Sequence, residues 1–251
     1  MEIRGERECR DCGTRWSYYE TGSVHCPDCG SLLSVGIDEP TRHTDSPVEL
    51  DLVTARTTAA DGSIREAAEE AGNAARAYLR RRGFIHAGEL RPLDDVYVAV
   101  EELKHVASTI GHRISVDDSE RSYFIELLNG APSGRRPDPG AVPDSLRTGR
   151  GLGAASAVRT YRDELRSLAE SREVDDPVRA LLDRLDGNAR RIRAMDGDVD
   201  PADADRLVTA ARAIGAALGD EPDGTLTAAE SALDALETST GSLTRRGDTP
   251  R

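Results

Sequence analysis

Three features of the 251-residue sequence predict a mainly α fold, an all-α helical bundle region of about seven helices behind a small N-terminal β module. The first 37 residues hold all four cysteines and the only tryptophan, with almost no helical period. From Asp61 onward apolar residues recur at helical spacing in seven segments. Proline, glycine and capping residues mark the boundaries between those segments.

Taken in order, residues 1–37 form the β module and residues 38–60 a linker that opens Pro-, Thr- and Asp-rich (DEPTRHTDSP). Val48 to Val53 alternates weakly and fits a strand or a helix start equally. Residues 61–130 read as a helical subdomain. Its first stripe is Ile64, Ala68, Ala71, Ala75 and Tyr78 within 63–82, ended by Gly83. Its second is Val96, Val100, Leu103, Ala107 and Ile110 within 93–111, behind Asp94 and Asp95 as caps. The third segment, 118–129, takes Asp118 as its N-cap and stops at Asn129-Gly130-Ala131-Pro132. Residues 131–150 are rich in proline and glycine and read as a loop or hinge that splits the helical region into two sub-bundles.

Residues 151–241 supply four more helices. The stripe of 151–171 is Val158, Tyr161, Leu165 and Leu168. Segments 177–195 and 201–218 follow Asp176-Pro177 and Asp200-Pro201, each a cap with proline at the first helical position. In 227–240, Thr227 and Glu230 fit a capping box. Short connections favour antiparallel neighbours, as in an up-down bundle. Residues 242–251 are a tail.

The chain has 46 acidic against 33 basic residues, net -13, and Lys104 is its only lysine. An acidic, lysine-poor, alanine-rich chain resembles proteins adapted to strong salt, where screening relieves acidic self-repulsion. Phosphate-driven binding weakens steeply with salt, so the composition argues against nucleic acid as the main partner. The one basic stretch is the 131–150 loop with Arg135, Arg136, Arg147 and Arg150. No uncharged run is long enough for a membrane span, and the charged start MEIRGERE shows no signal peptide. A cytoplasmic protein is expected, with no membrane partner.

The motif that carries chemistry is Cys9-Arg10-Asp11-Cys12-Gly13 followed by Cys26-Pro27-Asp28-Cys29-Gly30. Each C-x-x-C turn lets two thiolates reach one ion, and the glycine after it permits the backbone that closes the knuckle. Two knuckles complete a four-sulfur shell, the pattern of a structural Zn2+ site held by Cys9, Cys12, Cys26 and Cys29. A single iron fits the same shell. Four cysteine ligands leave no open position for catalysis. The stretch TRWSYYETGSVH between the knuckles reads as a hairpin, and 31–37 as a third strand.

These residues carry a resemblance. C-R-D-C-G…Y-Y-E-T-G-S-V-H-C-P-D-C-G is similar to the zinc ribbon of the transcription factor IIB type over residues 9–37. The resemblance places the family's metal ligands on the four cysteines. It implies an association with transcription or RNA metabolism. The cyclin-like repeats of that family do not follow here, because the helical part is too short, too acidic and too poor in aromatics. As a whole the chain is similar to haloarchaeal proteins that join this ribbon to a helical region.

Trp16, Tyr18 and Tyr19 place three of nine aromatics within four residues and are the candidate contact surface for a partner. Glu102-Leu103-Lys104-His105 fits one E-x-x-H element of a di-metal bundle, but its second copy is missing from the sequence, so a solvated helix face is expected. Gly149 to Ala154 is glycine-rich without the strand or spacing of a dinucleotide site. Arg80-Arg81-Arg82 is a dipole complement at a helix end. The expected function is a non-enzymatic zinc-binding adaptor for a protein partner. The alternative is a nucleic-acid-binding module that uses the ribbon aromatics and the Arg-bearing loop.

Overall fold

A computed structural model describes residues 2–171, 176–219 and 224–244. It is mainly helical with a small N-terminal β region. The chain divides into two units: residues 1–49 with 78–91, and residues 50–77 with 92–251.

The first unit is made of short pieces. Strands β1 (Glu2–Ile3) and β5 (Thr41–Arg42) pair antiparallel. Strands β2 (Glu6–Cys9), β3 (Arg15–Ser17) and β4 (Ser34–Gly36) form a three-stranded antiparallel sheet in the order β3-β2-β4. The third strand expected within 31–37 is therefore present. The hairpin between the knuckles is not: after β3 the chain turns into a single helical turn, α1 (Tyr18–Thr21), closed by Gly22 at φ +61°. The physical reason lies in Tyr18 and Tyr19. The Tyr18 amide donates to Gly5 O (2.7 Å), and the Tyr19 ring lies so close to Gly5 that any Cβ there would overlap it.

The segment read as a linker is woven into the same unit. Strands β6 (Ile85–His86) and β7 (Glu89–Leu90) form a hairpin whose two turn residues, Ala87 and Gly88, both have positive φ. That is the geometry of a two-residue hairpin loop. Thr44 N donates to Ile85 O (2.8 Å), Gly88 N to Arg42 O (2.8 Å) and Ala87 N to His43 Nδ1 (3.2 Å). Rings of Tyr19, His43 and His86 stack at centroid distances of 4.8–5.9 Å. Burial, with His86 beside it, holds the His43 imidazole below its ordinary pKa. Arg82, expected to be a free dipole complement, pairs with Asp45.

The second unit contains α2 (Val53–Ala60), α3 (Ile64–Leu79, whose last two residues belong to the first unit), α4 (Asp95–Gly111) and α5 (Asp118–Gly130). It continues with α6 (Arg147–Ser171), α7 (Asp176–Ala194), α8 (Pro201–Leu218) and α9 (Thr225–Thr244). The seven helices expected from periodicity correspond to α3–α9, and α2 is additional. Val53 is a helix start. Local chemistry sets most ends. Asp94 accepts from Tyr97 N (2.7 Å) and Asp200 from Ala202 N (2.8 Å). The cap of α5 is Asp117, one residue before the expected Asp118: it accepts from Glu120 N (2.9 Å) while Glu120 Oε2 accepts from Asp117 N (3.1 Å). Helix α9 begins before Thr227, so that residue is inside the helix and does not cap it.

Segment 131–150 does not separate two sub-bundles. It folds as three 3-10 turns with Ala131 and Leu146 buried, inside the same unit as the helices on both sides. Two of its arginines turn inward. Arg150 Nη1 donates to Pro137 O (3.0 Å) and Nη2 to Asp205 (2.6 Å), while Arg136 Nη1 reaches Glu102 (3.0 Å). The Tyr123 hydroxyl donates to the same buried Glu102 carboxylate. Removing one member of such a set leaves an uncompensated buried charge, which costs about 3–5 kcal/mol.

Gly149, expected at the loop's end, and Gly153, expected within the helix that follows, both lie inside α6, where they let helices approach. A Cβ at Gly149 would fall 2.8 Å from the Val106 side chain, and one at Gly153 would fall 2.7 Å from Glu102 Cα. Both glycines face α4, one turn apart. Interior glycine costs a helix about 1 kcal/mol relative to alanine; here the close α4–α6 packing, with Ala107 and Ala157 fully or nearly buried, offsets it. No helix among the described residues is long and apolar enough to cross a membrane.

The sign of a glycine-to-alanine exchange tests this packing. Gly187, exposed on α7 with open space around it, should gain up to about 1 kcal/mol on Gly187→Ala. Gly153→Ala should instead lose about 1–3 kcal/mol through overpacking. Chemical denaturation of the two variants, followed by helical circular dichroism, measures both.

Candidate metal centre

The two cysteine knuckles have the same local hydrogen bonding. Cys9 N donates to Thr14 O (2.9 Å) and Gly13 N to Cys9 O (3.1 Å). In the second knuckle, Cys26 N donates to Ser31 O (2.9 Å) and Gly30 N to Cys26 O (3.0 Å). Gly13 and Gly30 carry matching φ values of +77° and +73°, a region that a Cβ disfavours. Each sequence therefore folds into the same tight turn, and β2 and β4 bring the two turns together.

All four Sγ atoms lie within 4.8 Å of one another. Cys9 and Cys29 are 3.6 Å apart, and Cys12 and Cys26 are 3.5 Å apart. Disulfide bonds would require about 2.05 Å, so all four are free thiols. A tetrahedral ion at about 2.3 Å from four sulfurs sets S···S separations of about 3.8 Å. The observed spacing fits that shell, and Cys9, Cys12, Cys26 and Cys29 could hold a metal ion.

Burial is asymmetric. Cys9 and Cys26, the first cysteine of each knuckle, are buried together with Trp16; Cys12 and Cys29 face solvent. The thiols also differ electrostatically. The Thr14 hydroxyl, 3.2 Å from Cys12 Sγ, and the Thr14 backbone lower the Cys12 thiol to about 6. Ser31 N–H lowers Cys29, but the Cys12 sulfur, desolvation and the sulfurs of Cys26 and Cys9 outweigh it and push Cys29 up to about 12.

A supporting set of residues escaped the sequence reading. Ser31 Oγ donates to Asp11 Oδ2, and Thr14 Oγ1 lies 3.4 Å from Asp28 Oδ2. The third residue of each knuckle thus meets the hydroxyl that follows the opposite knuckle. The signal was available in the sequence as a pseudo-repeat: Cys-Arg-Asp-Cys-Gly-Thr and Cys-Pro-Asp-Cys-Gly-Ser.

The aromatic contact surface requires correction. Trp16 is 7% exposed, packed on Cys9 and Cys26, with Nε1 donating to Ser23 O (3.0 Å). Tyr19 is the half-buried ring that joins Gly5, Thr41, His43 and His86, and Tyr18 is half-buried beside His43. Trp16 is therefore core and not contact surface, while Tyr18 and Tyr19 keep partial exposure. The exposed large apolar residues of this unit are Val24, Leu32, Leu33 and Ile37.

The other candidates do not converge on a site. Glu102 is committed to Arg136, Arg150 and Tyr123, away from any pairing with His105. Ser156 Oγ lies 3.2 Å from His105 Nε2, and Glu101 Oε2 lies 3.9 Å from the same nitrogen. Because both meet Nε2, Glu101 cannot orient Nδ1 while Nε2 takes a serine proton, which a hydrolytic triad requires. Burial also drives His105 down to about 4. His112 closes α4, with Nδ1 donating to Ser108 O (2.6 Å).

A family model described as "Family of unknown function (DUF7117)" matches residues 1–233. No curated protein and no solved structure matches the chain.

Outer hydrogen bonds orient metal ligands, and losing them typically weakens binding by about 10–100-fold. The Asp11→Ala, Asp28→Ala double variant should show a loss of that size in competition with a chromophoric chelator. Ligation requires thiolates, so binding should also weaken as pH falls from 8 to 5, where protons compete even for Cys12.

Proposed function

We propose that this chain, which belongs to the DUF7117 family, is a non-enzymatic zinc-binding adaptor whose N-terminal ribbon meets a protein partner. The observation that carries the reading is the convergence of four free thiols within 4.8 Å at two matching knuckles. Cys9, Cys12, Cys26 and Cys29 hold the ion. Zinc in such a shell supplies folding energy and not reactivity, since four thiolates leave no open ligand position. The knuckle region needs that energy: the buried cluster that contains its cysteines is Cys9, Trp16 and Cys26, and Phe84 and Ile85 are buried elsewhere in the unit.

Protein is favoured over nucleic acid as partner by the fate of the Arg-bearing loop. Arg136 and Arg150 turn into ion pairs with Glu102 and Asp205, and Arg147 lies 3.6 Å from Asp144. Of the four loop arginines, only Arg135 is exposed. The ribbon's outward apolar residues, Val24, Leu32, Leu33 and Ile37, join half-buried Tyr18 and Tyr19 as contact residues, and buried Trp16 drops out. An association with transcription or RNA metabolism rests on the resemblance of the ribbon alone.

Elemental analysis of the purified full-length chain tests the reading. One zinc per chain is expected, with loss of the ribbon's Trp16 fluorescence signature in Cys9→Ser and retention of helical circular dichroism. Iron in its place would replace zinc in the reading, and metal-free folded protein would overturn it.

A further inference from the structure

Strand β4 has one neighbour, β2, and its other edge is open in the sheet. Its register determines what that edge presents. Arg10 N donates to Leu33 O (2.8 Å) and Ile37 N to Glu6 O (2.8 Å), in step with Glu8 opposite Val35. Residues 33, 35 and 37 therefore turn their main-chain groups toward β2, and Ser34 and Gly36 turn theirs away. Ser34 uses its own within the chain, its N donating to Leu32 O (3.0 Å) and its O accepting from Arg7 Nη2 (3.2 Å), which leaves Gly36 for an incoming strand. Gly36 borders an open groove of about 400 Å³, whose remaining walls are Ile3, Arg4, Arg7, Tyr18 and Val24.

Two guanidinium groups line this groove. Arg7 is held by Ser34, with Nε donating to Oγ (3.0 Å), and Arg4 donates to the Asp38 carbonyl. Neither has a carboxylate within 4.0 Å among the described residues, whereas Arg15 and Arg82 of the same unit pair with Glu8 and Asp45. The Arg4 stem lies directly on Gly36, where a Cβ would fall 2.3 Å from Arg4 Cβ, so glycine is what admits that side chain to the strand. Side chains alternate about this edge. Gly36 shares its face with Arg7, opposite it in register, while Leu33, Val35 and Ile37 share the other face with Glu8. Leu33 and Ile37 are 61% and 45% exposed.

We infer that β4 takes a fourth strand from a protein partner, an extended segment in which acidic and apolar residues alternate. Its main chain pairs with Gly36. Every second side chain is a carboxylate turned across Gly36 to Arg7 and Arg4, and the intervening apolar side chains cover Leu33 and Ile37. Main-chain pairing supplies the docking, and charge-assisted bonds to the arginines select the sequence. The inference names the partner chemistry of the adaptor reading and rests on it.

Random 12-residue peptides displayed on phage, selected on the zinc-loaded full-length chain, provide the test. Enriched sequences should carry Asp or Glu at alternate positions with Val, Ile or Leu between them. Synthetic peptides of that pattern should bind in fluorescence anisotropy, and Arg4→Gln and Arg7→Gln should each weaken them by about tenfold. Ile114→Ser, on the exposed surface of the helical unit, should leave binding unchanged. Arg7→Gln also removes bonds to Ser34, so zinc content and Trp16 fluorescence check its fold; Arg4→Gln, on an exposed side chain, gives the independent answer. No enrichment, enrichment without acidic residues, or affinity indifferent to both arginines would overturn the inference. Tighter binding of oligouridylate through the same arginines would also overturn it and assign the groove to nucleic acid. Zinc stoichiometry on the same sample separates the two readings: metal-free protein sinks the adaptor, and zinc-loaded protein that selects no such peptide sinks this inference alone.

Discussion

Four sulfurs gathered within 4.8 Å form a set that cannot all be ionised without a cation among them. The opposed shifts of Cys12 and Cys29 express this conflict: one thiol sheds its proton readily and the other holds it. A divalent ion held among them would resolve the conflict and turn repulsion into attraction. The rest of the first unit is arranged around the same point. Both knuckles close on glycines at positive φ, Trp16 covers the inner sulfurs, and the aspartates of each knuckle reach the hydroxyl of the other.

The second unit is held differently. Its core is built largely from alanine, leucine and valine, with few rings, so helices must come close to exclude water. Gly149 and Gly153 allow this between α4 and α6. Its polar interior is also organised: Arg150, Glu102, Tyr123, Arg136 and Asp205 pair with one another and tie the proline-rich segment to the helices. A segment whose composition reads as flexible is fixed by one buried and one half-buried guanidinium group.

What could be read from sequence followed from how local the determinants are. The metal ligands were legible because C-x-x-C-G is a self-contained turn. Helices α3–α9 were legible because their stripes persist over several turns. Interactions distant in sequence were not. The hairpin at Ile85–Leu90 has a turn of Ala87-Gly88, without the Asn-Gly or Asp-Gly that marks such loops, and its partners lie some forty residues earlier. Tyr19 looked available for a partner because nothing local revealed Gly5, Thr41 and His86 around it. Gly149 read as the end of a loop because helix propensity weighs against glycine, and only Val106, distant in sequence, explains its place in α6.

The unequal burial of the cysteines has a chemical result. An oxidant or electrophile arriving from solvent meets Cys12 and Cys29, one from each knuckle, while Trp16 shields Cys9 and Cys26. Modification of the outward pair therefore strips half the donor set from both sides of the shell at once.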